Sequence, residues 1–419
     1  MTISEATWQF VRQHASHDVG QLALRGSKDA SVDLPMALQL IQGRQLAARK
    51  LPSWTAIDRL IYPPHLSLEQ CSSEQTARYK AKITGALLAK GSNGKSSKLI
   101  DLTGGFGVDF SFMAHQFAEA VYVECQPELF SIVQQNLQLL FPPEAAVAGA
   151  PRISCACTDG VDFLRQLEGH ASLIFLDPAR RNEHGGRTYS ISDCTPDVLP
   201  LMDQLLQKAD HVLLKLSPML DWRKAVADVG SQHVEQVHII SVAGECKELL
   251  LLLSLHATTE KRLYCVNDDS TEVFTFNDIS SSHEGVIATE AHVMPGAFLY
   301  EPNASLMKAG VFTELAQRYG VLPLAPNSHL FVSPLSVQAF PGRSFLITDV
   351  STMNKQELKQ KILPLKQANI SVRNFPLSVP ELRRKLKLAD GGSHYLFATT
   401  LSSGDHVLLV CQKNPTPNS

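Results

Sequence analysis

A glycine-rich turn between an apolar strand and a helix constrains this chain more than any other stretch. It runs Lys98-Leu-Ile-Asp-Leu-Thr-Gly-Gly-Phe-Gly-Val-Asp-Phe-Ser-Phe-Met-Ala114. The spacing predicts a short strand ending on Asp101, a turn, then an amphipathic helix: the first βα unit of a nucleotide-binding α/β fold. Glycines in the turn let backbone N–H groups and the helix N-terminus come close to a ligand. A dinucleotide fold asks for G-x-G-x-x-G, but Gly105-Phe-Gly107 is followed by Val108, Asp109 and Phe110. The missing third glycine disfavours NAD and FAD.

Three later features stand in order behind that turn. Ala120-Val-Tyr-Val-Glu124 is a second strand, ending about 20 residues on in an acid placed to accept hydrogen bonds from ribose hydroxyls. Arg152-Ile-Ser-Cys-Ala-Cys-Thr-Asp159 is a third strand followed by a carboxylate. Ser172-Leu-Ile-Phe-Leu-Asp177-Pro-Ala-Arg180 is a fourth, ending in Asp-Pro. The first pattern, acidic-x-x-x-G-x-G with Thr103 where a first glycine often stands, resembles motif I of the class I S-adenosylmethionine (SAM) methyltransferases. Asp177-Pro-Ala-Arg180 resembles their motif IV, the substrate-facing loop of nucleic-acid methyltransferases. The resemblance implies SAM as cofactor. Asp101, Thr103 and the Gly104, Gly105, Phe106 and Gly107 backbone would hold its methionine end, Glu124 the ribose and Asp159 the adenine. Asp159 also suits the N-cap of the next helix, and both roles are compatible.

At 419 residues the chain has room for about two to four domains. Hydrophobic residues make up 44% and charged residues 19%, a globular balance rather than a disordered or membranous one. The longest apolar run, 249–253, is far short of a bilayer span, and the opening Met-Thr-Ile-Ser-Glu has neither a basic nor an apolar leader segment. Eight cysteines are scattered and read as reduced. No metal spacing links His14, His17, His115 and His184. A cytoplasmic protein without membrane or metal is expected.

Net charge is −3 but unevenly spread: residues 40–100 carry +7, residues 350–390 carry +6, and the remainder −16. Two basic segments about an acidic remainder fit a polyanion such as RNA. The alternative is basic surface helices that only aid solubility.

Residues 1–95 read as a helical N-terminal domain, with helical spacing over 7–14, 34–50 and 72–90 and a break at Pro63-Pro64. Residues 96–257 carry the α/β alternation. After the four strands come a helix at 198–208, a strand at 211–215 and a helix at 222–228. Strands 234–242 and 248–256 would then pair antiparallel through Gly244. An antiparallel seventh strand resembles the class I methyltransferase sheet. Residues 258–335 read as a small ferredoxin-like module: a hairpin of 262–266 with 272–276, strands 297–300 and 329–332, and a helix 304–319 between Asn303 and Gly320. Residues 336–419 form strand 344–348, a basic helix 354–366 and strand 370–374. A second basic helix opened by the capping box Ser378-x-x-Glu381 follows, then strands 394–400 and 407–412. That βαβαββ order resembles the THUMP-like domain attached to certain RNA methyltransferases, and the whole chain resembles that family. The expected class is therefore α/β. A Rossmann-like sheet of six parallel strands and one antiparallel carries a helical N-terminal extension and C-terminal α+β ferredoxin-like and THUMP-like modules.

The resemblance puts Asp177 and Arg180 at the transfer point as catalytic residues. Nucleic-acid amino-methyltransferases carry Asp/Asn-Pro-Pro-aromatic there, whereas Ala179 and Arg180 leave no ring to stack on a base. Asp-Pro-Pro-Arg occurs in pyrimidine-C5 methyltransferases, which need a cysteine, commonly after the next strand. That place reads Lys215-Leu-Ser217-Pro218, with no thiol; Cys194 lies in the intervening loop, where a structural or free surface thiol is expected rather than a nucleophile. Arg181 and Arg187 would clamp phosphate beside Arg180 or pair internally with acids. Lys215, Arg383, Arg384 and Lys385 are further expected substrate contacts. The expected activity is non-covalent, in-line methyl transfer from SAM to RNA. Two rivals are a small-molecule or protein methyltransferase, whose substrate binding would ignore the basic segments, and a SAM-binding scaffold without turnover.

Overall fold

A computed structural model describes residues 3–63, 65–91, 97–142, 150–180, 190–257, 260–277, 279 and 287–414. The chain divides into two units, Met1–Val237 with Leu249–Thr259, and His238–Glu248 with Glu260–Ser419.

In the first unit, short polar side chains start the N-terminal helices. Ser4, Asp18 and Asp33 cap helices Glu5–Gln13, Val19–Arg25 and Leu34–Lys50, each accepting a first-turn N–H. Leu40 and Ile41 lie on one stripe of the third helix and pack with Trp8, Val11 and Leu22. Two short helices, Pro52–Thr55 and His65–Gln70, precede the long helix Glu74–Gly91. Asn136, on helix Pro127–Leu140, pins this segment: its amide donates to the Ile61 carbonyl and accepts the Ile61 N–H, both at 2.8 Å.

The strands of this unit are β1 (Lys98–Asp101), β2 (Glu119–Glu124), β3 (Arg152–Cys157), β4 (Ala171–Leu176), the short pair β5 (Ala179–Arg180) and β6 (Cys194–Thr195) and β7 (Ala209–Leu216); β8 (Val234–Val242) and β9 (Glu245–Leu253) contribute residues 234–237 and 249–253, their remaining residues belonging to the second unit. Seven of the nine strands of the main sheet run in the order β3-β2-β1-β4-β7-β9-β8. Its first five members are parallel. Strand β9 is antiparallel to β7, with Leu252 opposite Leu213. Ala243 and Gly244, at φ 52° and 78°, turn β8 straight back into β9, so β8 runs with the parallel set. Six parallel strands and one antiparallel result, as expected. β1 and β4 are buried almost throughout, which suits a parallel sheet covered on both faces, while the edge strand β3 is half exposed.

In the second unit, β10 (Arg262–Asn267) and β11 (Ser270–Thr275) form a hairpin beside the far end of β8, where Ser241 Oγ donates to the Val266 carbonyl at 3.0 Å. The remaining strands are β12 (Phe298–Pro302), β13 (Leu322–Pro323), β14 (Phe331–Ser333), β15 (Gly342–Thr352), β16 (Asn369–Arg373), β17 (His394–Thr400) and β18 (His406–Lys413). They make one sheet in the order β13-β14-β12-β15-β18-β17-β16. Successive residues of β17 serve different cores: Phe397 packs with Leu299 and Phe345, whereas Leu396 packs with Leu382 and Leu386. Both faces of this sheet are therefore covered.

Two expectations for this unit need correction. The helix at 304–319 is two helices, Ala304–Ala309 and Phe312–Tyr319, because Gly310 takes φ 67° and closes the first. The basic helix at 354–366 is broken into Lys355–Glu357, a π turn Leu358–Ile362 and a 3-10 turn Leu363–Leu365. Pro364 brings no N–H, and Lys366 turns to φ 60°. The Asn303 cap, the Gly320 stop and the Ser378/Glu381 capping box are all formed.

Candidate functional site

The turn after β1 owes its shape to its neighbours. Gly105 and Gly107 take φ 53° and 76°, which glycine adopts without strain. A Cβ on Gly104 would lie 2.2 Å from Tyr122 Cε2, so the turn sits directly on that ring. Tyr122 in turn donates its hydroxyl to the Gly105 carbonyl at 2.5 Å. On the opposite side, a Cβ on Gly105 would meet nothing nearer than the Thr103 carbonyl at 3.8 Å. Backbone there faces open space.

Acids at three strand ends hold that turn. Glu124, closing β2, accepts the Gly105 N–H at 2.9 Å and the Gln126 N–H at 2.8 Å. Asp101, closing β1, is 1% exposed and accepts the Thr103 N–H at 3.0 Å. Burial pushes its carboxyl well above the ordinary range; the Thr103 N–H opposes this, and the negative charges of Asp109, Asp177 and Glu124 add to it. Asp177 follows β4, and its backbone N–H donates to Thr103 Oγ1 at 2.6 Å. Asp159 caps helix Gly160–Gln166 by accepting the Val161 and Asp162 N–H groups, with its side chain at the surface.

Beneath Asp177 lies a group of buried charges. Lys215 Nζ is 2.6 Å from Asp177 Oδ2 and 3.3 Å from Asp109 Oδ2. Lys80 Nζ is 3.1 Å from Asp109 Oδ1, and Ser72 Oγ donates to Asp109 Oδ2 at 2.7 Å. Burial alone would push the Asp109 carboxyl up, but Lys80, Lys215 and the Ser72 hydroxyl together hold it below its usual value.

The sequence-expected residues sort accordingly. Asp101, Thr103, Gly104, Gly105, Gly107, Glu124 and Asp177 come together at the carboxyl edge of the sheet. The Phe106 ring turns away and packs edge-on against Trp54, with centroids 5.2 Å apart. Lys215, expected at the substrate, is 8% exposed, its ammonium held by Ser72, Asp109 and Asp177. Arg181 and Arg187 lie outside the described residues; for Arg180 the backbone pairs with Cys194. Cys194 is 2% exposed, which suits a structural role rather than a free surface thiol. In the second unit, Arg384 and Lys385 are exposed on helix Val379–Leu386. Arg383 is instead drawn to Asp390 at 2.6 Å and to the Ala368 carbonyl.

Sequence reasoning missed Ser72 and Asp109, and took Lys80 only as part of the stretch Ala77-Arg78-Tyr79-Lys80 expected close to the entrance and as one of the cations of residues 40–100. A signal was present for Lys80, which occupies the inward stripe of its helix with Ala77 and Thr84. Beside that helix, Arg78, Lys82, Phe112, His115 and Gln116 line an open groove of about 500 Å³, and the Arg78 guanidinium lies 5.0 Å from the Phe112 ring. Among the described residues no group of His, Cys, Asp or Glu is placed to hold a metal ion, and no helix is long and apolar enough to cross a membrane.

Comparison with known proteins adds the following. Residues 342–413 match a family model described as THUMP domain-like, and residues 298–341 one described as a ferredoxin-like domain. The crystal structure of a Porphyromonas gingivalis W83 protein, described as a "putative methyltransferase", is 31% identical at a TM-score of 0.83, covering 99% of this chain and 100% of that one. A SAM-dependent methyltransferase from Agrobacterium tumefaciens is 20% identical over 46% of this chain and 64% of that one, at a TM-score of 0.33. An rRNA methylase from Streptococcus thermophilus is 12% identical over 42% and 96%, at a TM-score of 0.30. No curated protein matches.

Proposed function

The chain belongs to the methyltransferase family of the P. gingivalis protein, and from that premise we propose that it transfers a methyl group from SAM to RNA. One observation carries the reading: an open, glycine-lined turn is tied to the acids at three strand ends, to Asp101 through the Thr103 N–H, to Glu124 through the Gly105 N–H and to Asp177 through its backbone N–H on Thr103 Oγ1. SAM bears a sulfonium and an ammonium, and the carboxylates of Glu124 and Asp177 are complementary to that charge. The open side of Gly105 leaves room for backbone N–H groups to meet its carboxylate. The residues fit the group.

When bound, SAM supplies a methyl carbon on a positively charged sulfur, a good electrophile without further activation. The protein's part is to hold and aim. Asp101 and the backbone from Thr103 to Gly107 hold the amino-acid end. Glu124, whose two oxygens each already accept one backbone N–H, uses its remaining lone pairs on the ribose hydroxyls. Asp159 accepts from the adenine amine while capping its helix. Asp177 is 39% exposed at its side chain with Oδ2 anchored on Lys215, and it accepts the hydrogen of the attacking group. With Cys194 buried, the transfer is direct, without a covalent enzyme–substrate adduct.

The RNA half of the reading rests on the THUMP domain-like match and on exposed cations. Arg384 and Lys385 lie within the matched segment, and the Arg78, Lys82 and His115 groove offers phosphate contacts beside an aromatic ring. Incubating the protein with methyl-tritiated SAM and RNA from cells lacking its gene tests the proposal. Label should enter RNA and resist protease; label in protein alone would overturn the RNA half.

A further inference from the structure

An alternating row of charges leads from the interior to Asp177. Lys80 is fully buried and 3.1 Å from Asp109, Asp109 is 3.3 Å from Lys215, and Lys215 is 2.6 Å from Asp177. Ser72 Oγ joins the row, accepting from Lys80 at 3.3 Å and from Lys215 at 3.0 Å while donating to Asp109. The order is positive, negative, positive, negative. Burying an ammonium costs stability even when it is paired, and an apolar residue at position 80 would continue the inward stripe of its helix at less cost. The row thus has a shape that packing alone does not require.

We infer that Lys80, Asp109 and Lys215 are positioning residues that set the charge and the aim of Asp177. The catalytic meaning of the row rests on the reading of Asp177 given above, whereas its electrostatic behaviour does not. Two ammonium groups balance two carboxylates. Without Lys80, Asp109 and Asp177 compete for Lys215 alone, so Asp177 takes up a proton more readily. Without Asp109, Lys215 faces one carboxylate of the row instead of two and the positive charge of Lys80 stays behind it, so Asp177 holds its charge to lower pH. Without both, a balanced Lys215–Asp177 pair remains. Among the described residues, Glu124 on β2 adds like charge in every form, while the Asp101 carboxyl on β1, pushed well up by burial, and the Cys71 thiol, pushed up to about 11, are held toward their neutral forms.

Titrating the Asp177 carboxyl by carbon-13 NMR in the full chain tests this, with the signal assigned through Asp177→Asn. Relative to wild type, the midpoint should rise in Lys80→Met, fall in Asp109→Asn, and return in the Lys80→Met, Asp109→Asn double variant. A merely structural role predicts no opposed shifts and no restoration. An unmoved midpoint in the single variants, or a double variant displaced further than Lys80→Met, overturns the inference. If Lys80→Met does not fold, the fall in Asp109→Asn decides alone. Methyl transfer from labelled SAM is followed in parallel: kcat should drop in Lys80→Met by up to roughly 100-fold, as for a misplaced catalytic group, with the acid limb of its pH profile tracking the NMR midpoint. A wild type that transfers no methyl to RNA contradicts the functional reading and leaves the titration result standing.

Discussion

The carboxylate of Glu124 accepts the Gly105 N–H at 2.9 Å, tying the end of β2 to the turn that follows β1. One acid thereby shapes the turn and faces the space beside it. Glu124→Ala should weaken SAM binding by about 1–3 kcal/mol, since it leaves polar partners unsatisfied on both sides. Calorimetry reads this directly. Wild-type affinity in the variant would remove Glu124 from the ribose role.

Gly104 tests how firmly the turn is seated. Its Cβ would fall 2.2 Å from a Tyr122 ring that is itself backed by Phe110, with centroids 5.6 Å apart. Gly104→Ala should cost about 1–3 kcal/mol of stability by overpacking and displace the turn. Thermal melting and SAM titration together check it; an unchanged melting point and affinity would mean that the ring yields.

Asp101 sets stability against binding. Burial raises its folded-state pKa above the unfolded value, so its contribution to stability is present at acidic pH and lost as pH rises through the folded pKa. Asp101→Asn should therefore melt higher than wild type at neutral pH, with the gap closing toward pH 4, while its SAM affinity falls. A variant melting at or below wild type at neutral pH would contradict this.

Much of this site could be read from local spacing, because local spacing causes it. The positive φ angles at Gly105 and Gly107 call for glycine, and the acids at 101, 124 and 177 end strands whose apolar runs are plain. The Ser378/Glu381 capping box is equally local. What escaped notice is tertiary. Lys80 and Asp109 meet because a helix preceding the sheet packs on the helix after the glycine turn, and nothing within either segment announces the other. Nothing beside Lys215 in the chain marks Ser72, Asp109 and Asp177 as its partners. Gly310 and Pro364 were visible breakers, yet each lay inside a helical pattern long enough to hide it.

Exposure separates the cations of helix Val379–Leu386. Arg384→Gln with Lys385→Gln should flatten the salt dependence of RNA binding, since each lost phosphate contact removes its share of counterion release. Arg383→Gln should change the slope less, because that guanidinium is already paired with Asp390. Filter binding across a salt series, with SAM affinity as control, distinguishes them. Equal slopes in wild type and the double variant would leave this helix as solvated surface.

Asp177 is proposed to serve methyl transfer from SAM to RNA, and its loss is the direct test. Mass spectrometry of RNA nucleosides should be run on cells lacking the gene and on cells complemented with wild type or Asp177→Ala. The account predicts one methylated nucleoside that disappears with the gene, returns with wild type and stays absent with Asp177→Ala, although the purified variant still binds SAM. An identical nucleoside profile with and without the gene, or full restoration by Asp177→Ala, would contradict it.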